Sequence, residues 1–178
     1  DELIYKQIEG DPQQKATIEQ GLAKIEKAVM DSIETNNDRV AVYEALKHLI
    51  VSGNVLLKMS EDGLRTYPLN SYVVKRDPQG KILKIIIKEG ISPNTLSEQL
   101  RKTIGSKIDD EHKTLNLYTC IYREKKRFYV HQECAKQKVF EKYYDLDKLP
   151  FLALRFNRID GANYGRGHCE TFEGDLRS

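Results

Sequence analysis

The sequence predicts an α+β fold: an N-terminal helical hairpin packed on a mostly antiparallel, β-rich domain, followed by the truncated start of a C-terminal helix. Three observations carry this expectation. Apolar residues recur at spacings of three and four before Gly53, the period becomes strand-like from Asn54 onward, and the strand-like runs are separated by Asp-Gly and Pro-containing turns. At 178 residues the chain has room for one domain with a real core, because a domain of this size buries roughly 70% of its unfolded surface.

Residues 1–14, which include Gly10-Asp11-Pro12, read as a flexible lead-in. Residues 15–53 read as the helical hairpin. From Lys15 to Asn36, the residues Ile18, Leu22, Ile25, Val29 and Ile33 fall on one stripe of a helix. Asn36-Asn37-Asp38 then supplies a break and an N-cap, since short polar side chains accept hydrogen bonds from the free amides of the next helix. That second helix, Arg39 to Ser52, is expected to bury Val42, Tyr43, Leu46, Leu49 and Ile50, with Gly53 closing it in a left-handed conformation.

Residues 54–160 read as the β-rich domain, a sheet of about seven strands. Val55 to Met59 and Leu64 to Pro68 flank Ser60-Glu61-Asp62-Gly63, a hairpin whose turn needs a positive φ. Ser71 to Arg76 and Lys81 to Glu89 flank Asp77-Pro78-Gln79-Gly80, where Pro presets φ and Gly takes the position other residues avoid. The return strand carries Ile82, Leu83, Ile85, Ile86 and Ile87, too many for simple alternation, so it is expected to be the central strand, buried in part on both faces. Ser92-Pro93 opens a short helix near 93–105 on Leu96, Leu100 and Ile104, and an exposed acidic loop, Asp109-Asp110-Glu111, follows. Thr114 to Tyr122 and Arg127 to His131 form a hairpin around Glu124-Lys125-Lys126, with Lys138 to Tyr144 and Phe151 to Ile159 as further strands. Residues 161–178 begin a final helix on Phe172 and Leu176. No turn residue or proline follows to end it and position 1 is not Met, so the sequence predicts a piece cut from something longer.

A net charge of +2 conceals an uneven distribution: residues 1–40 hold nine acids against five bases, 81–107 six bases against two acids, and 121–144 seven against three. Basic strands between 81 and 142 could face phosphates as a stand-alone nucleic-acid-binding module, although lysines on exposed strands also keep sheet edges soluble. Cys120, Cys134 and Cys169 form no C-x-x-C pair, which fits free thiols in a reducing compartment. There is no run of about 18 apolar residues, and the acidic, polar start does not resemble a signal peptide. No membrane partner is expected.

Residues that could carry chemistry do not assemble into a convincing site. His131, Cys134 and Cys120 are the best metal trio, but structural zinc sites use four ligands in two closely spaced pairs. Asp109 or Asp110 with Glu124 and Lys126 could be arranged around Mg²⁺ for phosphodiester cleavage, yet Glu124 to Arg127 reads as an exposed turn. His168 and Cys169 are sequence neighbours, which point apart on a helix. Gly161, Gly165 and Gly167 lack the Lys-[Ser/Thr] of a phosphate loop and are expected to let the chain turn sharply. The expectation is no catalytic residue, no cofactor and no metal. Arg166 opposes the dipole near a helix N-terminus and so calls for a compensating partner.

Leu22-Ala23-Lys24-Ile25-Glu26, Tyr43-Glu44-Ala45-Leu46-Lys47, Val51-Ser52-Gly53-Asn54-Val55-Leu56-Leu57, Leu69-Asn70-Ser71-Tyr72-Val73-Val74-Lys75-Arg76-Asp77, Arg158-Ile159-Asp160-Gly161 with Tyr164-Gly165-Arg166, and Gly174-Asp175-Leu176-Arg177-Ser178 together carry a specific resemblance. In this order, over residues 20–178, the chain resembles the portal, or head-to-tail connector, proteins of short-tailed bacteriophages. The match is weakest between Ile91 and Leu149. The resemblance implies a structural virion protein that forms a ring, typically of twelve subunits, through which double-stranded DNA passes during packaging and ejection. It also implies a packaging ATPase, capsid and tail proteins as partners, the portal vertex as location, and the host cytoplasm during assembly. By the same resemblance the chain is the wing fragment, 161–178 leads into a stem helix, and Arg155, Arg158, Tyr164 and Arg166 are candidate subunit or DNA contacts.

Overall fold

The computed structural model describes residues 12–95 and 114–176. Two helices come first, α1 (Pro12–Thr35) and α2 (Asp38–Ser52), followed by β1 (Asn54–Ser60), β2 (Gly63–Tyr67), β3 (Tyr72–Arg76), β4 (Ile82–Ile91), β5 (Leu115–Glu124), β6 (Arg127–Cys134), β7 (Gln137–Asp145) and β8 (Phe151–Arg155). Two one-turn helices, α3 (His168–Thr171) and α4 (Glu173–Leu176), close the described part. None of the described helices is long and apolar enough to cross a membrane.

The α+β class is as expected, but the strands form two sheets rather than one. Their orders are β2-β1-β8 and β3-β4-β5-β6-β7, and every pair is antiparallel. The split follows from where the apolar side chains point. Leu56, Tyr67 and Phe151 from the small sheet meet Tyr72, Val74, Ile85, Ile87, Ile121, Phe128 and Val130 from the large one, and this interface is the main core. Each such side chain taken fully out of water contributes about 1.5–3 kcal/mol. On the other face of β1, Val55 and Leu57 pack against Ala45 of α2. Strand β1 is therefore buried on both faces, as the middle layer between α2 and the large sheet.

The expected core face of α2 is corrected. Val42, Tyr43, Leu46 and Ile50 are exposed and Leu49 is half-buried, whereas Ala45 is the residue that touches β1. Two polar contacts fix this orientation: Asp38 Oδ1 accepts from Leu64 N at 2.6 Å, and Thr66 Oγ1 donates to the Ala41 carbonyl at 3.0 Å. A small residue lets the helix approach the sheet closely, so the larger apolar residues turn outward. The N-cap is corrected too. Asn37 adopts a left-handed φ of 55° instead of the extended backbone of a capping residue, and its side chain caps nothing. Gly53 does close α2, at φ 74°, with its amide donating to Leu49 O.

Helix α1 begins at Pro12, so the last residues of the expected lead-in are helical; residues 1–11 lie outside the described residues. Its stripe of Ile18, Leu22, Ile25 and Val29 is exposed. Both predicted turn glycines take positive φ, Gly63 at 104° and Gly80 at 84°. Strand β4 is interior but not central; that place belongs to β5. Its Ile85 and Ile87 are fully buried while Ile82, Leu83 and Ile86 are half-buried. Of the short helix near 93–105, the turn Pro93–Thr95 is described, and the rest, like the acidic loop at 109–111, lies outside the described residues. The last strand stops at Arg155 rather than Ile159, and the helical turns begin at His168 rather than near 161.

Candidate functional site

The four candidate contact residues sit where β8 leaves the sheet and the chain doubles back. Residues Asn157 and Arg166 form an isolated antiparallel bridge across this loop. The loop is seated on the start of β1 by Asn54, which is 2% exposed. Asn54 Nδ2 donates to Gly165 O at 2.7 Å and Oδ1 accepts from Gly165 N at 2.7 Å. Packing is close enough to require glycine: a Cβ on Gly53 would lie 2.2 Å from the Arg166 carbonyl carbon, and one on Gly167 would lie 2.3 Å from Val51 O. The glycines thus serve the sharp turn and a backbone-to-backbone seam, in keeping with the conformational reading.

The arginines divide into two groups. Arg166 Nε pairs with Glu170 Oε1 at 2.9 Å, one helical turn ahead, which is the compensating partner that its position calls for. Arg155 and Arg158 turn instead toward the β3–β4 hairpin. Arg155 Nη1 donates to Ala162 O at 2.9 Å, and Arg158 Nη2 donates to Gln79 O at 3.0 Å. Arg76, which sequence reasoning missed, joins them. Its guanidinium donates to Asn163 O (3.1 Å), Gly80 O (3.0 Å) and Ala153 O (2.8 Å). Burial first, and then the neighbouring Arg155 charge, hold the Arg76 pKa below its ordinary value. No sequence pattern signals this grouping, because Arg76 and Arg155 are far apart in the chain. Tyr164 is half-buried, and its hydroxyl accepts from Val74 N at 3.0 Å, tying the loop to β3.

The outer face of the large sheet carries aromatic rings and lysines. His131 stacks with Tyr122 at 5.6 Å and Tyr129 at 5.2 Å, and Lys84 lies 4.6 Å from the Tyr122 ring centre. Lys138 Nζ donates to the Tyr129 hydroxyl and to Glu141, each at 2.9 Å. At the β5–β6 turn, Glu124, Lys125, Lys126, Arg127 and Tyr143 line an open cavity of about 780 Å³.

The metal and nuclease trios are not brought together in the described part. Cys120 faces His131 across the β5–β6 ladder, while Cys134, three residues along β6 from His131, lies on the opposite face with its thiol in the core. Burial raises the pKa of both the Cys120 and Cys134 thiols. Glu124 and Lys126 are at an exposed hairpin tip, and Asp109 and Asp110 lie outside the described residues. No cluster of three His, Cys, Asp or Glu side chains suited to a metal occurs among the described residues.

Comparison with known proteins agrees with the resemblance and gives no support to a stand-alone nucleic-acid-binding module. The chain is 36% identical to the portal protein of Enterobacteria phage T3 and 36% identical to that of Escherichia phage T7, in each case over 99% of the chain and 35% of the relative. It is 32% identical to the portal protein of Enterobacteria phage SP6 over 92% of the chain and 32% of that relative. The chain thus spans about a third of the length of these relatives. The family described as "Bacteriophage head to tail connecting protein" matches residues 7–178. With nearly its whole length matched by the family and by these relatives, the chain belongs to the bacteriophage head-to-tail connecting protein family.

Proposed function

We propose that the chain is the wing part of a portal subunit, a structural virion protein with no bond chemistry of its own. The full-length protein forms a ring, of twelve subunits by analogy, at the portal vertex, and assembles in the host cytoplasm. Double-stranded DNA passes through the ring during packaging and ejection, and the packaging ATPase, capsid and tail proteins dock on it, mostly through regions outside this chain. In this layout the helical hairpin is 15–53, the wing 54–160, and 161–178 lead into a stem. Arg155, Arg158, Tyr164 and Arg166 serve as contacts to a neighbouring subunit or to DNA.

The observation that carries this reading is the apolar surface of the hairpin. Ile18, Leu22, Ile25, Val29 and Met30 of α1 and Val42, Tyr43, Leu46, Ile50 and Val51 of α2 are all exposed. An apolar surface of that extent marks an association site rather than a solvated face. Electron microscopy of the full-length protein tests the proposal: rings are expected, and a chain that stays monomeric at high concentration overturns it.

A further inference from the structure

Three guanidinium groups, two of them three residues apart and the third from a distant strand, meet around Gly80. Arg76 ends β3, Arg155 ends β8, and Arg158 lies three residues beyond. A side chain at Gly80 would bring its Cβ within 2.9 Å of Arg155 Nη2, 3.1 Å of Arg158 Nη2 and 3.3 Å of Arg158 Cζ. Two cationic forks therefore pack directly against Gly80, closer than any side chain at that position would allow. Among the described residues the three groups make a single ion pair, Arg158 Nε to Asp160 Oδ1 at 3.8 Å, with a carboxylate side chain that is 97% exposed. Their other side-chain contacts are donations to backbone carbonyls, which orient the forks without neutralising them. Like charges held this close repel unless an anion joins them.

We propose that Arg76, Arg155 and Arg158, arranged around Gly80, form a binding site for a phosphate group. Phosphate suits the arrangement better than a protein carboxylate. A carboxylate presents its two oxygens in one plane, whereas a tetrahedral phosphate offers acceptors in three dimensions to forks that approach from different directions. Arg155 Nη2 has no hydrogen-bond partner among the described residues, and Arg158 is half-exposed, so both can turn a donor to an incoming group. The phosphate is either free in solution or part of a nucleic-acid backbone. The site deepens the contact role proposed for Arg155 and Arg158 and rests on it.

The test measures thermal stability of the 178-residue chain with increasing inorganic phosphate, at an ionic strength held constant with chloride. A saturable rise in Tm is expected. Arg158→Gln, which removes an exposed side chain and should leave the circular dichroism spectrum unchanged, is expected to weaken phosphate binding about tenfold. Arg158→Lys keeps the charge without the fork and should fall between the two. Competition by a short DNA duplex assigns the phosphate to a nucleic-acid backbone; a duplex that does not compete assigns it to the free anion. No saturable effect, equal phosphate affinity in Arg158→Gln, or tighter competition by a glutamate peptide overturns the proposal. Ring formation by the full-length protein is scored separately by microscopy, so failure of the site and failure of the assembly reading are distinct results.

Discussion

Asn54 is the side chain on which the strand-exit loop depends. Replacing it with Ala removes both hydrogen bonds to Gly165 and leaves a buried amide and carbonyl unpaired. A loss of about 2–3 kcal/mol is expected, read by urea denaturation. The thiols offer a second measurement: Cys169 is exposed while Cys120 and Cys134 are buried with raised pKa values. Iodoacetamide at neutral pH should modify Cys169 alone until the chain is unfolded. Tyr67 sets an alkaline limit. Burial, then the Glu89 charge, push its pKa from 10.0 up to about 12. A phenol that stays neutral longer in the folded state lends its full stabilisation below the unfolded value of 10.0, and loses it as pH rises through about 12. Tm should therefore fall across that interval, and Tyr67→Phe should make the fall shallower.

Among the elements, strands bounded by strong turn chemistry were readable from the sequence and helix faces were not. Asp62-Gly63 and Asp77-Pro78-Gln79-Gly80 demand particular backbone angles, so the β1–β2 and β3–β4 hairpins follow from local rules. Helix α2 carries apolar residues nearly all round, and periodicity cannot say which of them meets the sheet; a hydrogen bond from distant Leu64 to Asp38 decides. The division into two sheets was hidden for the same reason, since alternation marks an apolar face without naming what covers it. The arginine group was half legible: Arg155 and Arg158 were singled out by the family resemblance, while Arg76 joins them only through the fold. Glycine at the seam is the element-scale prediction. Gly53→Ala combines a positive φ with a contact of 2.2 Å to the Arg166 backbone, so it should destabilise by more than about 2 kcal/mol. Gly21→Ala, on an open face of α1 with nothing within 4 Å, should instead stabilise by about 0.5–1 kcal/mol.

At the scale of the whole molecule, the exposed apolar hairpin suits the proposed role of a component that joins others. Leu22→Glu with Ile25→Glu should leave this chain folded and more soluble, since both side chains are exposed, while reducing ring yield in the full-length protein. Light scattering and negative-stain microscopy read the two effects. The seam of Gly53, Gly165 and Gly167 has a separate consequence for where the chain should accept inserted residues. The direction in which the backbone leaves this seam is set by residues next to β1, and none of the close contacts of Gly53, Gly165 or Gly167 comes from β5, β6 or β7. Extra residues spliced between Lys125 and Lys126, or at Ala135-Lys136, should therefore lengthen a hairpin without swinging the exit.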